Sequence, residues 1–392
     1  MKGGGHNVTG TAVCDDGLVI DLSPMDSVRV DPNAMTARVQ AGATIADLDH
    51  ETQAFGLAVP AGIVSETGVA GLTLGGGTGR LARKHGLTID NLRSVDLVTA
   101  EGKLVHASES ENPDLFWGVR GVGGNFGVVT SFEYDCHEVG PEVLGGRIVH
   151  PFDNAGAVLR SYRAFVTDAP EAVNCLAGIA TAPANSALPE SIRGERIVQL
   201  TVCYAGAIEE GREVLRPLRS VGEPIADLVR PQPYTRVQRI LTEAAAEGYR
   251  NYWKSDYLAG LPDEAIDVVL EYCERFPSPS SSVFFETMDG AINRADVAAT
   301  AFPHRNAAFS VTAWARWTDS TTDDEHVESA REFLDAMTPY STDGVYVNFL
   351  GREGTERVEA AYGDNYDRLA ALKTEWDPGN LFRMNQNVEP TA

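Results

Sequence analysis

At 392 residues, with 43% hydrophobic and 22% charged side chains, the chain has the makeup of a folded protein long enough for two domains and a sizeable core. Its formal net charge of −24 argues against nucleic acid or an anionic membrane as partner, since both require a basic surface that displaces counterions. No apolar stretch reaches the roughly 18 residues of a membrane span and no signal-peptide core opens the chain, so a cytoplasmic location is the default expectation.

From Gly17 to Val59, short apolar runs such as Leu18-Val19-Ile20 and Ala37-Arg38-Val39 alternate with turn residues at Ser23-Pro24 and Asp31-Pro32-Asn33, a pattern of strands and turns. Residues 44–55 read as a helix, with Thr44 as cap, Ala46, Leu48 and Ala54 as apolar positions and Gly56 as the stop. Residues 94–99 and 126–134 read as further strands, and this first region is expected to end near Leu144. In the middle of the chain, segments 147–150, 176–180, 197–204, 283–287 and 309–317 are strand-like, and 155–166, 208–218, 262–271 and 325–337 are helical. That mixture predicts an antiparallel sheet backed by helices. Segment 345–350 alternates as a strand, which puts Tyr346 and Asn348 on one face and Val345, Val347 and Phe349 on the other. Trp314 and Trp317, flanking Arg316 in a strand, and Tyr362 and Tyr366, one turn apart on a helix, read as core packing.

Three glycine-rich segments stand out: Gly3-Gly4-Gly5-His6-Asn7, the run from Ser65 and Thr67 through Gly68, Gly71, Gly75 and Gly76 to Gly77, and Gly121-Val122-Gly123-Gly124-Asn125-Phe126-Gly127-Val128-Val129. Glycines let backbone N–H groups converge on a diphosphate, because no Cβ blocks the approach. A histidine after such a loop can lie against whatever the phosphates carry; a loose terminus with a solvated His6 is the alternative. Gly77-Thr78-Gly79-Arg80-Leu81-Ala82, with Asp96 farther on, fits a dinucleotide fingerprint, yet Gly86 cuts the following helix too short for a nicotinamide-binding fold. Those glycines suit a flavin diphosphate better, with Asp90 and Asn91 as polar contacts. The five cysteines form no Cys-x-x-Cys pair, and the histidines lack ligand spacing, so no metal is expected.

In order and spacing, these loops, the Asn112-Pro113-Asp114-Leu115-Phe116-Trp117 segment and the tail Asp377-Pro378-Gly379-Asn380-Leu381-Phe382-Arg383-Met384-Asn385-Gln386-Asn387 resemble the berberine-bridge-enzyme-like branch of the FAD-linked oxidases. The resemblance implies the α+β fold of the vanillyl-alcohol oxidase and p-cresol methylhydroxylase group. It gives a discontinuous FAD domain (1–144 and 344–392) and an inserted substrate domain (145–343) built on an antiparallel sheet. It further implies FAD bonded covalently to His6, and no second cysteinyl link, because Val64 occupies the position where doubly linked members have cysteine. FAD contacts are expected from Gly3, Gly4, Gly5, His6 and Asn7, from Ser65, Thr67, Gly68, Gly71, Gly75 and Gly76, and from Asp90 and Asn91. Gly124, Gly127 and Val129, then Asn348 and Asn387 in the tail, complete the expected set. Tyr346 matches the family's tyrosine base, whereas Phe349 stands where relatives commonly have a second tyrosine. The implied activity is oxidation of an alcohol, sugar or related C–H donor by hydride transfer to flavin, with dioxygen or another small acceptor. Only Met1 and Lys2 precede the first glycine loop, where relatives carry several dozen residues. A competing expectation is therefore a flavin-poor remnant acting as a binding protein.

Overall fold

The computed structural model describes residues 1–183, 188–245, 248–351 and 354–391. The first sheet is assembled from β1 (Val28–Asp31), β2 (Thr36–Gln40), β4 (Leu92–Val98), β5 (Leu104–Ser108) and β6 (Val128–Asp135), while β3 (Leu57–Ala58) and β7 (His137–Glu138) form a separate ribbon. Its order is β1-β2-β6-β4-β5, with every neighbouring pair antiparallel. The helix Ile45–Gln53 starts where expected: the Thr44 hydroxyl accepts from the Asp47 N–H, and the Asp47 carboxylate accepts from the Thr44 N–H, a capping box that satisfies two orphan donors.

The second sheet contains β8 (Glu142–Pro151), β9 (Val173–Thr181), β10 (Arg196–Tyr204), β11 (Ala226–Asp227), β12 (Arg230–Pro233), β13 (Arg250–Leu258), β14 (Ser282–Thr287) and β15 (Phe309–Trp317). The order is β11-β8-β10-β9-β14-β15-β13, with β12 also pairing β8, and all pairs are antiparallel. Because side chains alternate along a strand, Val283, Phe285, Val311, Ala313 and Ala315 enter one core. There they meet Val158, Leu159 and Tyr162 of the helix Ala155–Asp168, Ile266 and Val269 of the helix Asp263–Glu274, and Phe333 and Met337 of the helix Asp323–Met337. The opposite face carries Leu176, Gly178, Gln199, Ser282, Phe284, Glu286, Trp253 and Trp314, and lines a cavity.

The tail returns to the first sheet: Val345, Val347, Leu350, Tyr362, Leu369, Leu372 and Val388 join the core of Ala37, Val39, Leu97 and Phe132. Lys373, fully buried, ties it down by donating to the carbonyls of Asn125 (2.7 Å) and Phe382 (3.0 Å) and pairing with Asp377 (2.6 Å). The α+β expectation therefore holds, with helices on one face of an antiparallel sheet.

Several local readings need correction. Leu18-Val19-Ile20 is not a strand; it lies along the cavity, held by the Lys2 N–H to the Ile20 carbonyl at 2.9 Å. The helix expected over 208–218 is two helices, Ile208–Val214 and Arg216–Arg219, because Pro217 has no N–H to continue the ladder. Tyr362 ends one helix and Tyr366 begins the next, with Gly363 at φ +48° between them. Segment 345–350 does not continue as a strand and folds into a 3₁₀ turn at Val347–Phe349, closed by the Phe349 N–H to the Tyr346 carbonyl at 2.9 Å. Phe349 consequently packs edge-on against Tyr346, 4.9 Å between ring centres, instead of pointing away from it.

Candidate active site

Between the two sheets lies a cavity of about 600 Å³. One end is built from the glycine loops: Gly3, Gly4, Gly5, His6, Asn7, Val64, Thr67, Gly68, Gly71, Gly124, Gly127 and Val129 all line it. Gly4 and Gly68 touch backbone to backbone, since a Cβ on either would lie 2.4 or 2.3 Å from the other's nitrogen; the first two loops thus form one continuous wall. At Gly71 a Cβ would meet nothing within 4 Å and would project into open space. Beside these loops, both amide atoms of Asn385 are buried without a hydrogen-bond partner, a set of unfilled valences that costs free energy unless a ligand meets them. A glycine cradle ending on unsatisfied amides fits the polar edges of an FAD.

Not every expected contact reaches this wall. Asp90 turns away to Arg305, which grips it at 2.6 and 2.8 Å, and also accepts from the Leu87 N–H. Asn91 bridges the carbonyls of His85 and Leu87 and the ring of His137. Ser65 is buried, with its carbonyl accepting from the Ala46 N–H. Gly75 gives flush passage to Asn348, Gly76 packs behind Tyr346 and Phe302, and Asn387 lies off the wall while Asn385, two residues earlier, is on it. The fingerprint loop leads into one helical turn, Ala82–His85, that Gly86 ends at φ +83°. Arg83 locks this turn to the second sheet: it pairs with both oxygens of Asp289 (2.5 and 2.9 Å) and donates to the carbonyls of Val173, Ala169, Pro170 and Val166.

His6 lines the cavity, and burial lowers its imidazole below the ordinary value, against the opposing pull of Glu66; the ring is neutral near pH 7, with a free lone pair. Tyr346 is buried across the cavity. Its oxygen accepts from the Gly77 N–H at 3.0 Å and from the Asn348 amide at 3.1 Å. Both phenolic lone pairs are thus occupied, leaving the O–H free to donate. Burial outweighs these donors and pushes the phenol up to about 12. A resting tyrosine base would need a cation beside it, and none is among the groups acting on Tyr346.

The carboxylate that sequence reasoning missed is Glu286, 5% exposed on β14 and facing the same cavity. Burial pushes it up to about 7, with Arg80 pulling the other way. Its signal was available: in Ser282-Val283-Phe284-Phe285-Glu286-Thr287 the acid shares its face with Ser282 and Phe284, away from the core residues Val283 and Phe285. Beyond it the wall is aromatic. Trp253 contacts Trp314 at 4.6 Å, Phe349 at 4.8 Å and, edge-on, Phe284 at 6.2 Å. Trp314 thus faces the cavity, contrary to the core reading, whereas Trp317 is buried in the helix-backed core.

Two family profiles match the chain, one described as FAD binding domain over residues 1–108 and one as berberine and berberine like over residues 345–389. The (R)-6-hydroxynicotine oxidase of Paenarthrobacter nicotinovorans is 33% identical over 413 residues, spanning 100% of this chain and 85% of that protein. The crystal structure of 6-hydroxy-D-nicotine oxidase from Arthrobacter nicotinovorans superposes with a TM-score of 0.88 at 29% identity, covering 100% of this chain and 86% of that one. Xylooligosaccharide oxidase from Myceliophthora thermophila, in complex with xylobiose, gives a TM-score of 0.84 at 26% identity, covering 100% and 86%.

Proposed function

The chain belongs to the berberine-bridge-enzyme-like FAD-linked oxidoreductases, with FAD as its cofactor, and from that premise we propose that it oxidises a small alcohol, amine or sugar C–H donor held between the glycine wall and Glu286. The observation that carries this reading is a buried carboxylate, pushed up to about 7, on the cavity that the glycine loops close. A base poised near the working pH is what proton removal from a donor requires. FAD, when bound, would supply the hydride-accepting chemistry for the donor carbon, and dioxygen is the proposed final acceptor.

The chain's own residues divide the remaining tasks. Glu286 takes the proton from the donor heteroatom. Tyr346, its lone pairs filled by Gly77 and Asn348, donates a hydrogen bond to that same atom and fixes its position. Trp253, Trp314 and Phe349, their rings tilted against one another, supply an aromatic wall that excludes water and packs against the donor. A neutral His6 is the proposed attachment point for FAD, with Val64 offering no sulfur for a second bond. In the proposed division of the chain, segments 1–144 and 344–392 hold the cofactor and 145–343 the donor.

Two measurements test this. Purified protein should be yellow, and its flavin should stay with the polypeptide after acid precipitation; in His6→Ala it should be released or never loaded. Flavin that remains covalently held in His6→Ala would overturn the attachment, and colourless wild-type protein that cannot be reconstituted with FAD would overturn the function.

A further inference from the structure

Arg80 is 1% exposed, and Nε, Nη1 and Nη2 of its guanidinium meet no hydrogen-bond partner among the described residues. A guanidinium cannot release its proton, and a lone buried cation is strongly unfavourable unless a charge opposes it. The groups its charge faces are Cys203, Glu286, Tyr234 and Cys175. Burial pushes both thiols up to about 12 and the Tyr234 phenol well above its ordinary value of 10, so all three are neutral near pH 7. Of these four groups, Glu286 is the one that can carry the opposing charge.

The groups coupled to Glu286 are Arg80, Tyr162 from the helix Ala155–Asp168, Tyr257 from β13 and Tyr346 from the tail. All three phenols are held neutral by burial, which leaves Arg80 as the one cation in this set among the described residues. The strand register brings the two together. Phe285 pairs with Ala177, and Leu176 with Thr201, so Glu286 lies level with Leu176 on the cavity face. One row along β9 and β10, Asn174 pairs with Cys203, and the Asn174 amide donates to the carbonyl of Gly79, the residue before Arg80, at 3.4 Å.

We propose that Arg80 is the counter-ion of Glu286 and a positioning residue for the reaction, its buried guanidinium keeping the carboxylate ionised and directed at the donor. The inference rests on the reading of Glu286 as base, and it adds what makes that base competent. A carboxylate with no opposing charge would be protonated in such a wall, whereas a carboxylate in direct contact with arginine would be too weak a base; separation without a hydrogen bond lies between these extremes.

The test is an infrared titration of the holoprotein, with the Glu286 carboxyl band assigned by its loss in Glu286→Gln. Arg80→Met should raise the Glu286 midpoint by at least about one pH unit, a roughly tenfold change in the protonation constant, and Arg80→Lys should return it most of the way. The pH profile of flavin reduction should move with it. An unmoved midpoint in folded Arg80→Met would overturn the proposal. Should Arg80→Met fail to fold, the double variant Arg80→Met/Glu286→Gln should recover the fold because both charges are gone; a double variant that is equally unfolded overturns the proposal too. If Glu286→Gln itself reduces flavin at the wild-type rate, the base reading falls, while the infrared midpoint still reports the pairing.

Discussion

Glu286→Gln keeps the size of the side chain and removes only its ability to take a proton. With the carboxyl pushed up to about 7 from an ordinary 4.5 by burial, about a tenth of it is ionised at pH 6 and about nine tenths at pH 8. Flavin reduction should therefore rise with pH through a single ionisation near 7 and level off above about 8. General-base catalysis is worth about 10² to 10⁴-fold, or roughly 3 to 5 kcal/mol of barrier, so Glu286→Gln should lose that much of the limiting rate and flatten the profile. The assay is anaerobic stopped-flow bleaching of the flavin, using whichever donor from a panel of aromatic alcohols, amines and oligosaccharides reduces the wild type. Burial holds Tyr346 at about 12, too far from neutrality to produce a rise near pH 7. A limiting rate within threefold of wild type in Glu286→Gln, or a wild-type profile flat across that range, would refute the reasoning.

Tyr346→Phe should slow flavin reduction less than Glu286→Gln, while leaving the Gly77 N–H and the Asn348 amide without their acceptor, a loss of about 1–3 kcal/mol visible in thermal unfolding; an equal or greater loss of rate would return the base to Tyr346. Asp49 is fully buried against the Gln238 side chain, and burial outweighs that contact and pushes its carboxyl up to about 7. The folded state thus keeps a proton that the unfolded chain releases near 4, so stability falls as pH rises from about 4 to about 7, by up to about 4 kcal/mol from this one group. Asp49→Asn should remove that slope, and parallel melting curves for variant and wild type at pH 5 and pH 8 would contradict it. Lys373→Met strands buried Asp377 without its cation and should cost about 3–5 kcal/mol in denaturant unfolding; a change below about 1 kcal/mol would show that the tail is held by its apolar contacts alone.

The sequence announced its regular parts where one physical signal dominated. Thr44 with Asp47 wrote a helix start, alternation in Ile197-Val198-Gln199-Leu200-Thr201-Val202 wrote a strand with one dry face, and the glycine runs marked the wall of the cavity. What escaped depended on partners far along the chain. Nothing local says that the chain turns at Val347, so the alternation of Val345 to Leu350 misread a 3₁₀ turn. β13 was missed because Arg250-Asn251-Tyr252-Trp253-Lys254-Ser255 has a polar alternate face that becomes meaningful only beside β15. Asp90 fits a phosphate-loop contact by spacing alone until Arg305, more than two hundred residues on, claims it. Glu286 and Arg80 lie about as far apart in the chain, and their pairing is a property of the register of β9, β10 and β14.

Arg83 has a mechanical consequence. One guanidinium from the glycine-rich side holds both oxygens of Asp289, three residues beyond Glu286, together with four carbonyls around the C-terminus of the helix Ala155–Asp168. Hinging the two sheets apart would break all of these bonds at once in a desolvated setting. The jaws are in effect riveted beside the reacting atoms, which fixes the distance between cofactor wall and base during turnover. Traffic of donor and product is then cheapest at the rim formed by Leu18, Leu381 and Met384, where exposed side chains can swing without disturbing the clamp.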